Sequence, residues 1–174
     1  MNSSKFHNSI ITPLKEENLS SEIIKLLSQH PIPNPITLTL TARQRVDGER
    51  VDDIKLFQNF RHFLNLLNKE LFGHASQRFG KKLKVWNVRE VSGEGRYHLH
   101  CLIEKPTHIS SDKFKELVVS IWSKKTQWGY DQIHIDYPNE DNGGEISWIN
   151  YCLKRRSKIT NIGSSVDWEN INIH

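Results

Sequence analysis

Apolar and polar residues alternate along ITLTLTAR at 36–43, where isoleucine and leucine are separated by threonine. A period of two that is rich in β-branched residues predicts a half-buried strand. Similar patterns bounded by turn residues predict three further strands, at 83–91, 96–106 and 131–137. The SGEG sequence between the second and third strands predicts a tight turn, so that these two strands form a hairpin.

Apolar residues three and four positions apart predict a long amphipathic helix from Val51 to Phe72. Shorter helices are predicted over 111–124 and 145–156. A peripheral N-terminal helix is predicted within 1–30, before the three prolines of PIPNP. We therefore divide the chain into this helix (1–30), one domain (31–158) and a C-terminal tail (159–174) in which no element is predicted.

The predicted elements follow the order strand, helix, hairpin, helix, strand, helix. Hairpin-connected strands share one sheet, and amphipathic helices must cover its apolar surface. This order predicts an α+β domain of ferredoxin-like (RRM-like) class, with a central antiparallel sheet of four or five strands and flanking helices.

Composition narrows the functional classes without selecting one. The 174 residues are enough for one domain, and 24 Lys+Arg against 20 Asp+Glu leave a net charge of +4, which permits a polyanionic partner. The two cysteines are far apart, so neither a disulfide framework nor a cysteine zinc site is indicated. No apolar run is long enough to span a bilayer, so we expect a soluble cytoplasmic protein without a membrane partner.

Two histidines of the third strand are candidate metal ligands. Side chains alternate along a strand, so His98 and His100 lie on one face. Glu90 lies across the SGEG turn, where it can add a carboxylate, and Glu104 of the histidine face is the second choice. Mixed nitrogen and oxygen ligands with open positions suit a divalent metal such as Mg or Mn acting as a Lewis acid.

The last predicted helix carries a candidate nucleophile, Tyr151. The apolar positions of this helix are Ile146, Ile149 and Leu153, and Tyr151 falls on the opposite side of the helix. A phenol has a pKa near 10, so a tyrosine that attacks needs its anion stabilised. Lys154, one turn further along, is placed to stabilise the phenolate or to neutralise a phosphate.

Several basic residues are candidates for contacts to a nucleic-acid backbone: Arg43, Arg155, Arg156 and Lys158. A basic run on a helix is equally consistent with a solvated surface. His134 and Asp136 share one face of the fourth strand, and we expect them to be an exposed surface pair rather than supporting groups of the metal site.

Three motifs in this order resemble the HUH endonuclease superfamily, specifically the single-tyrosine rolling-circle replication initiators (Rep proteins) of small plasmids, filamentous phages and circular single-stranded DNA viruses. The motifs are ITLTLTAR at 36–43, HLH at 98–100 and YCLK at 151–154, and the resemblance covers 36–158. Glu90 falls at the spacing where viral initiators place a carboxylate ligand.

The resemblance implies a sequence-specific endonuclease that nicks and joins single-stranded DNA at an origin hairpin and so initiates rolling-circle replication. Tyr151 would be the nucleophile and form a 5′-phosphotyrosine, Lys154 would assist it, and a divalent ion would be held by Glu90, His98 and His100. A helicase and a polymerase from the host or the genetic element would be partners, and the cytoplasm would be that of a host cell if the gene is viral or plasmid-borne.

Three alternatives stay open at the level of sequence. One is a transposase or relaxase-type nuclease of the same superfamily. Another is a non-catalytic nucleic-acid-binding module that uses the aromatic residues Trp86 and Tyr97. The third is a cupin-like metal site, because His98, His100 and Glu104 match HxHxxxE, although long amphipathic helices do not suit a β-barrel.

Overall fold

The computed structural model describes residues 16–138, 141, 143–153 and 162–173. The strands are β1 (Pro35–Ala42), β2 (Arg45–Val46), β3 (Glu49–Arg50), β4 (Val85–Val91), β5 (Tyr97–Glu104) and β6 (Gly129–Asp136). The helices are α1 (Glu16–Gln29), α2 (Asp53–Phe72), α3 (His74–Phe79), α4 (Ser111–Ser120), α5 (Gly144–Leu153) and α6 (Ile162–Ser165), and a π-helical segment (Ile121–Lys125) continues α4.

A four-stranded sheet of order β4-β5-β1-β6 forms the centre of the fold. Every pair of neighbours in it is antiparallel. This architecture confirms the predicted α+β, ferredoxin-like class, and the four predicted strands occur with their ends displaced by at most two residues. In the described parts of the chain, no helix is long and apolar enough to cross a membrane.

The alternation of β1 divides its side chains between two layers. Ile36, Leu38 and Leu40 are fully buried in a core that includes Phe60 of α2 and Phe114 of α4. The threonines of β1 lie on the other face of the sheet, as the period of two requires. Helices α2 and α4 therefore cover one face and leave the threonine face for different neighbours.

A second, smaller core lies on the threonine face, towards β4. Ile23 and Leu27 of α1 and Ile149 of α5 are buried there, together with Trp86 of β4. We call this the α1–α5 core. Because this core occupies the β4 side of the sheet, α5 lies across the sheet face that carries the histidines.

Gly129 starts β6 because no larger residue fits there. A Cβ atom at this position would lie 1.8 Å from the carbonyl oxygen of Trp122, far inside van der Waals contact. The close approach follows from the π-helical segment, where the Thr126 hydroxyl donates to the Trp122 carbonyl at 2.7 Å. The predicted helix over 111–124 therefore ends in a wider turn that delivers the chain directly into β6.

Two small elements escaped prediction. Strands β2 and β3 form a hairpin whose turn residues Asp47 and Gly48 have φ angles of 50° and 83°, the left-handed conformation that two-residue hairpin turns require. Each strand has only two residues, too few to show alternation. Helix α3 has six residues and none of them is buried, so it has no apolar stripe to detect.

The C-terminal segment, in which no element was predicted, lies along the free edge of β4. The backbone of Asn172 exchanges two hydrogen bonds with Val85, at 2.7 and 2.9 Å, and Val166 pairs with Val88. Beside them the buried Asp167 carboxylate accepts from the Asn87 amide at 3.0 Å. Burial raises the pKa of Asp167, and the hydrogen bonds that it accepts oppose this rise. The domain boundary at residue 158 stays a prediction.

We expect Ile173→Ala to lower the free energy of unfolding by about 2–5 kcal/mol, because it removes buried methyl groups from the α1–α5 core. Ile54→Ala is the matched control, since Ile54 is 69% exposed and Ile173 only 2%. The control should change stability by at most about 0.5 kcal/mol. Urea unfolding of both variants measures the difference, and equal effects would show that the C-terminal segment does not contribute to the core.

Candidate active site

Glu90, His98 and His100 share one face of the sheet. The register of β4 and β5 sets Glu90 directly opposite His98 and Val88 opposite His100. The Glu90 carboxylate reaches diagonally to His100 and hydrogen-bonds its Nε2 atom. The strand pairing therefore brings together the carboxylate and the histidine pair that were candidates in the sequence.

Two threonines of β1 lie within hydrogen-bond distance of the Nδ1 atoms of the two imidazoles. The hydroxyl of Thr39 lies 3.1 Å from Nδ1 of His100, and that of Thr41 lies 3.2 Å from Nδ1 of His98. These contacts follow from the β1–β5 register, which pairs Thr39 with His100 and Thr41 with His98. A hydroxyl can accept from a protonated Nδ1, which leaves Nε2 with its lone pair, or donate to an unprotonated one.

These threonines are the site residues that the sequence prediction missed. The alternation of β1 already places them on one face, but it does not say which strand lies beside them. The pairing of β1 with the strand that carries the histidines was needed to identify them, and the sequence does not give that pairing.

Burial lowers the pKa of His98, and the neighbouring His100 lowers it further, while Glu90 acts in the opposite direction. A lowered pKa keeps the imidazole neutral near neutral pH. The neutral form is the one with a nitrogen lone pair to offer a metal.

Within the described residues, no group of three or more His, Cys, Asp or Glu side chains is already arranged to hold a metal ion. The Glu90 carboxylate is instead engaged by His100. The types of donor nevertheless fit a divalent ion, since two imidazoles and a carboxylate are a common mixed ligand set. Metal binding would require the proton in the His100–Glu90 hydrogen bond to leave.

The alternative carboxylate, Glu104, has a different partner. It pairs with Pro35 at the far end of β5, and its carboxylate accepts from the backbone N–H of Lys84 at 3.0 Å. The open sheet with helical layers also lacks the β-barrel that a cupin-like HxHxxxE site needs. Glu90 is therefore the carboxylate that lies next to the histidines.

Helix α5 places Tyr151 beside this group. Its buried face consists of Ile149, Cys152 and Leu153, which fix the helix on the sheet. The expectation that Ile146 belongs to that face was wrong, because Ile146 is 50% exposed at the first turn of the helix. Tyr151 is 51% exposed, and its ring centroid lies 6.1 Å from that of His100 in an edge-to-face arrangement.

Trp148 supports the tyrosine from the preceding turn of α5. The two rings stack with centroids 5.6 Å apart and planes 22° apart. Trp148 also meets the His100 ring edge-to-face at 5.8 Å and packs against the α1–α5 core. This double contact ties the orientation of Tyr151 to the packing of the helix.

An open pocket of about 280 Å³ lies between α5 and strands β1 and β6 of the sheet. It is lined by Tyr151 and Trp148 on one side and by Thr39, His134 and Asp136 on the other. His134 and Asp136 are exposed on the same face of β6, as predicted, and both line this pocket.

Of the basic residues predicted to act on DNA, the structure describes only Arg43. Arg43 is exposed, and its guanidinium donates to the Ser123 carbonyl at 3.5 Å, in the segment that follows α4. That segment belongs to the core on the opposite face of the sheet, so the contact does not bring Arg43 to the histidine pair. Four other candidates lie outside the described residues: Lys154, Arg155, Arg156 and Lys158.

Comparison with known proteins identifies a family to which this chain is similar. A family model described as replication-associated protein ORF2 matches residues 35–158. Neither a curated protein nor a solved structure matches the chain. The matched range takes in all four strands of the central sheet together with Glu90, the histidine pair and Tyr151. The match covers well over half of the chain, and the protein therefore belongs to the ORF2 family of replication-associated proteins.

Proposed function

We propose that this protein is an HUH-type replication initiator of the single-tyrosine kind, which nicks and rejoins single-stranded DNA in a sequence-specific manner and so starts rolling-circle replication. The observation that carries the proposal is the position of Tyr151, with its ring 6.1 Å from His100, whose Nε2 contacts Glu90. A nucleophile beside a potential metal-binding group suits phosphoryl transfer, and the family is associated with replication.

Glu90, His98 and His100 would hold a divalent cation, Mg or Mn. Bound there, the ion would act as a Lewis acid that polarises a non-bridging phosphate oxygen and offsets the charge that develops in the transition state. Thr39 and Thr41 would orient the two imidazoles by fixing their Nδ1 atoms, the arrangement that outer hydrogen bonds commonly impose on metal-binding histidines.

Tyr151 would carry the covalent chemistry. Its phenolic oxygen would attack the scissile phosphorus, losing its proton, while the bond from phosphorus to the 3′-oxygen breaks and that oxygen takes up a proton. The products are a 5′-phosphotyrosine and a free 3′-hydroxyl. Attack by a 3′-hydroxyl on the phosphotyrosine reverses the step and joins two strands, because the covalent link conserves the phosphodiester bond energy.

The exposure of Tyr151 supports this role. Half of the side chain is open to solvent, so a DNA phosphate can reach the phenol. Lys154 would stabilise the phenolate or the phosphate, and Arg155, Arg156 and Lys158 would contact the DNA backbone, as would Arg43. The substrate would be the single-stranded region of an origin hairpin, and unwinding and synthesis would need a helicase and a polymerase.

We expect Tyr151→Phe to abolish the covalent protein–DNA adduct, because phenylalanine has no oxygen to attack phosphorus. Wild type and variant are incubated with Mn or Mg and a pool of labelled single-stranded oligonucleotides and are then compared on a denaturing gel. The adduct should also be lost when a chelator removes the metal. Tyr130→Phe is the matched control, since Tyr130 is similarly exposed, at 44%, but does not line the pocket next to α5.

An adduct that persists in Tyr151→Phe would exclude this residue as the nucleophile. If no protein forms an adduct and all three bind the oligonucleotides equally well, a non-catalytic nucleic-acid-binding module becomes the better description.

We expect Thr39→Val to weaken Mn binding by about 10- to 100-fold, because valine has nearly the same shape but cannot hydrogen-bond Nδ1 of His100. Thr39→Ser retains a hydroxyl and should stay close to wild type. Titration calorimetry of the DNA-free protein with Mn measures the affinity directly. Equal affinity of the valine variant and wild type would show that the threonine does not position the ligand, and Glu90→Gln tests the carboxylate in the same assay.

A further inference from the structure

The pocket beside Tyr151 is lined mostly by residues that have no role in the proposed nicking reaction. It shares Thr39 and Tyr151 with the proposed catalytic group, and its remaining walls come from Thr37 of β1, from α5, and from β6 and the two residues after it. Whatever occupies this pocket therefore lies immediately next to the phosphate that Tyr151 would attack.

The charges of the pocket lining do not favour the DNA backbone as its occupant. Among the described residues that line it, none is Lys or Arg, and Asp136 is acidic. His134 and the hydroxyl groups of the lining can donate hydrogen bonds, but the Asp136 carboxylate repels a phosphate, and no Lys or Arg of the described lining offsets it. A carboxylate is a hydrogen-bond acceptor, so Asp136 favours a ligand that donates hydrogen bonds.

The aromatic wall suits a base. Trp148 and Tyr151 line one side of the pocket and are stacked on each other with centroids 5.6 Å apart. Unstacked bases of single-stranded nucleic acids commonly pack against aromatic side chains, which replace the neighbouring bases. The volume of about 280 Å³ is near the lower limit of small-molecule pockets and suits a single nucleotide.

Asp136 offers hydrogen-bond acceptors to a ligand in the pocket. Its Oδ1 atom accepts from the backbone N–H of Tyr137 at 2.8 Å, which fixes the carboxylate at the end of β6. A carboxylate has about four acceptor positions on its two oxygens, so it can accept further hydrogen bonds. Guanine presents two adjacent donors, N1–H and the N2 amino group, on its Watson–Crick edge. Thymine presents one N–H between two carbonyl oxygens, which a carboxylate repels.

We propose that this pocket binds one guanine base of the single-stranded DNA, next to the scissile phosphate, with Asp136 as the residue that recognises its Watson–Crick edge. The inference rests on the proposed function, because it takes single-stranded DNA as the substrate. It adds a base-specific position to the enzyme and locates it between α5 and β6.

The test measures binding without cleavage. Four fluorescent 13-mers, dT6-X-dT6 with X as guanine, adenine, cytosine or thymine, are titrated with the full-length protein in the presence of a chelator, and fluorescence anisotropy gives each Kd. For wild type we expect the guanine oligonucleotide to bind about tenfold more tightly than the thymine one, the effect of hydrogen bonds to a charged group.

Asp136→Asn should reduce the preference for guanine over thymine to within about twofold, because the amide has one acceptor oxygen in place of two. Asp131→Asn is the matched control. Asp131 is exposed on the same strand but does not line the pocket, so its substitution changes the net charge equally and should keep the tenfold preference. Ser147→Trp, an exposed α5 position in the pocket wall, should block the pocket and also abolish the preference.

Equal binding of all four oligonucleotides by wild type, or a preference for another base, would overturn the assignment of guanine. A tenfold guanine preference that survives in Asp136→Asn would overturn the role of Asp136. The adduct assay with Tyr151→Phe reports on catalysis separately, so nicking without base preference would refute the pocket alone. A protein that neither binds these oligonucleotides nor forms an adduct would refute both proposals.

Discussion

The register of β1 between its two neighbours is the constraint on which the site depends. It sets Thr39 opposite His100 on one side and opposite His134 on the other. A slip of one residue would turn every side chain of β1 to the other face, and leucines would replace threonines beside the imidazoles. The buried residues Ile36, Leu38 and Leu40 prevent such a slip, because it would expose them. The core on one face therefore maintains the hydrogen bonds on the other.

The position of Tyr151 depends in addition on how α5 packs against the sheet. Its buried residues Ile149, Cys152 and Leu153 fix the helix against the sheet, and Trp148 extends from that packed side towards Tyr151 and His100. The same core includes Val166 and Ile173 of the C-terminal segment, far from the site in sequence. The position of the proposed nucleophile thus depends on packing contributed by both ends of the described chain.

Three groups of side chains lie next to one another on the sheet face that carries the threonines and histidines. The carboxylate and imidazoles of Glu90, His98 and His100 lie on β4 and β5, Tyr151 lies above them on α5, and the aromatic and acidic pocket opens towards β6. In the proposed function, these groups would act on the phosphate oxygen, the phosphorus and a neighbouring base, respectively. A single strand laid across the sheet could meet all three.

The sequence alone determined what depends on local periodicity. Alternation within one strand placed His98 and His100 on a common face, the SGEG turn brought Glu90 next to them, and the helical period kept Tyr151 away from the buried residues. Only the tertiary structure decided which elements are neighbours: the threonines beside the imidazoles, Tyr151 over His100 and the C-terminal segment on the edge of β4. The misplaced Ile146 has the same cause, since an apolar side chain at the first turn of a helix is buried only if another element covers it. Periodicity is a property of each segment by itself, whereas these contacts join residues far apart in the chain, and their geometry exists only once the sheet and its helices have packed together.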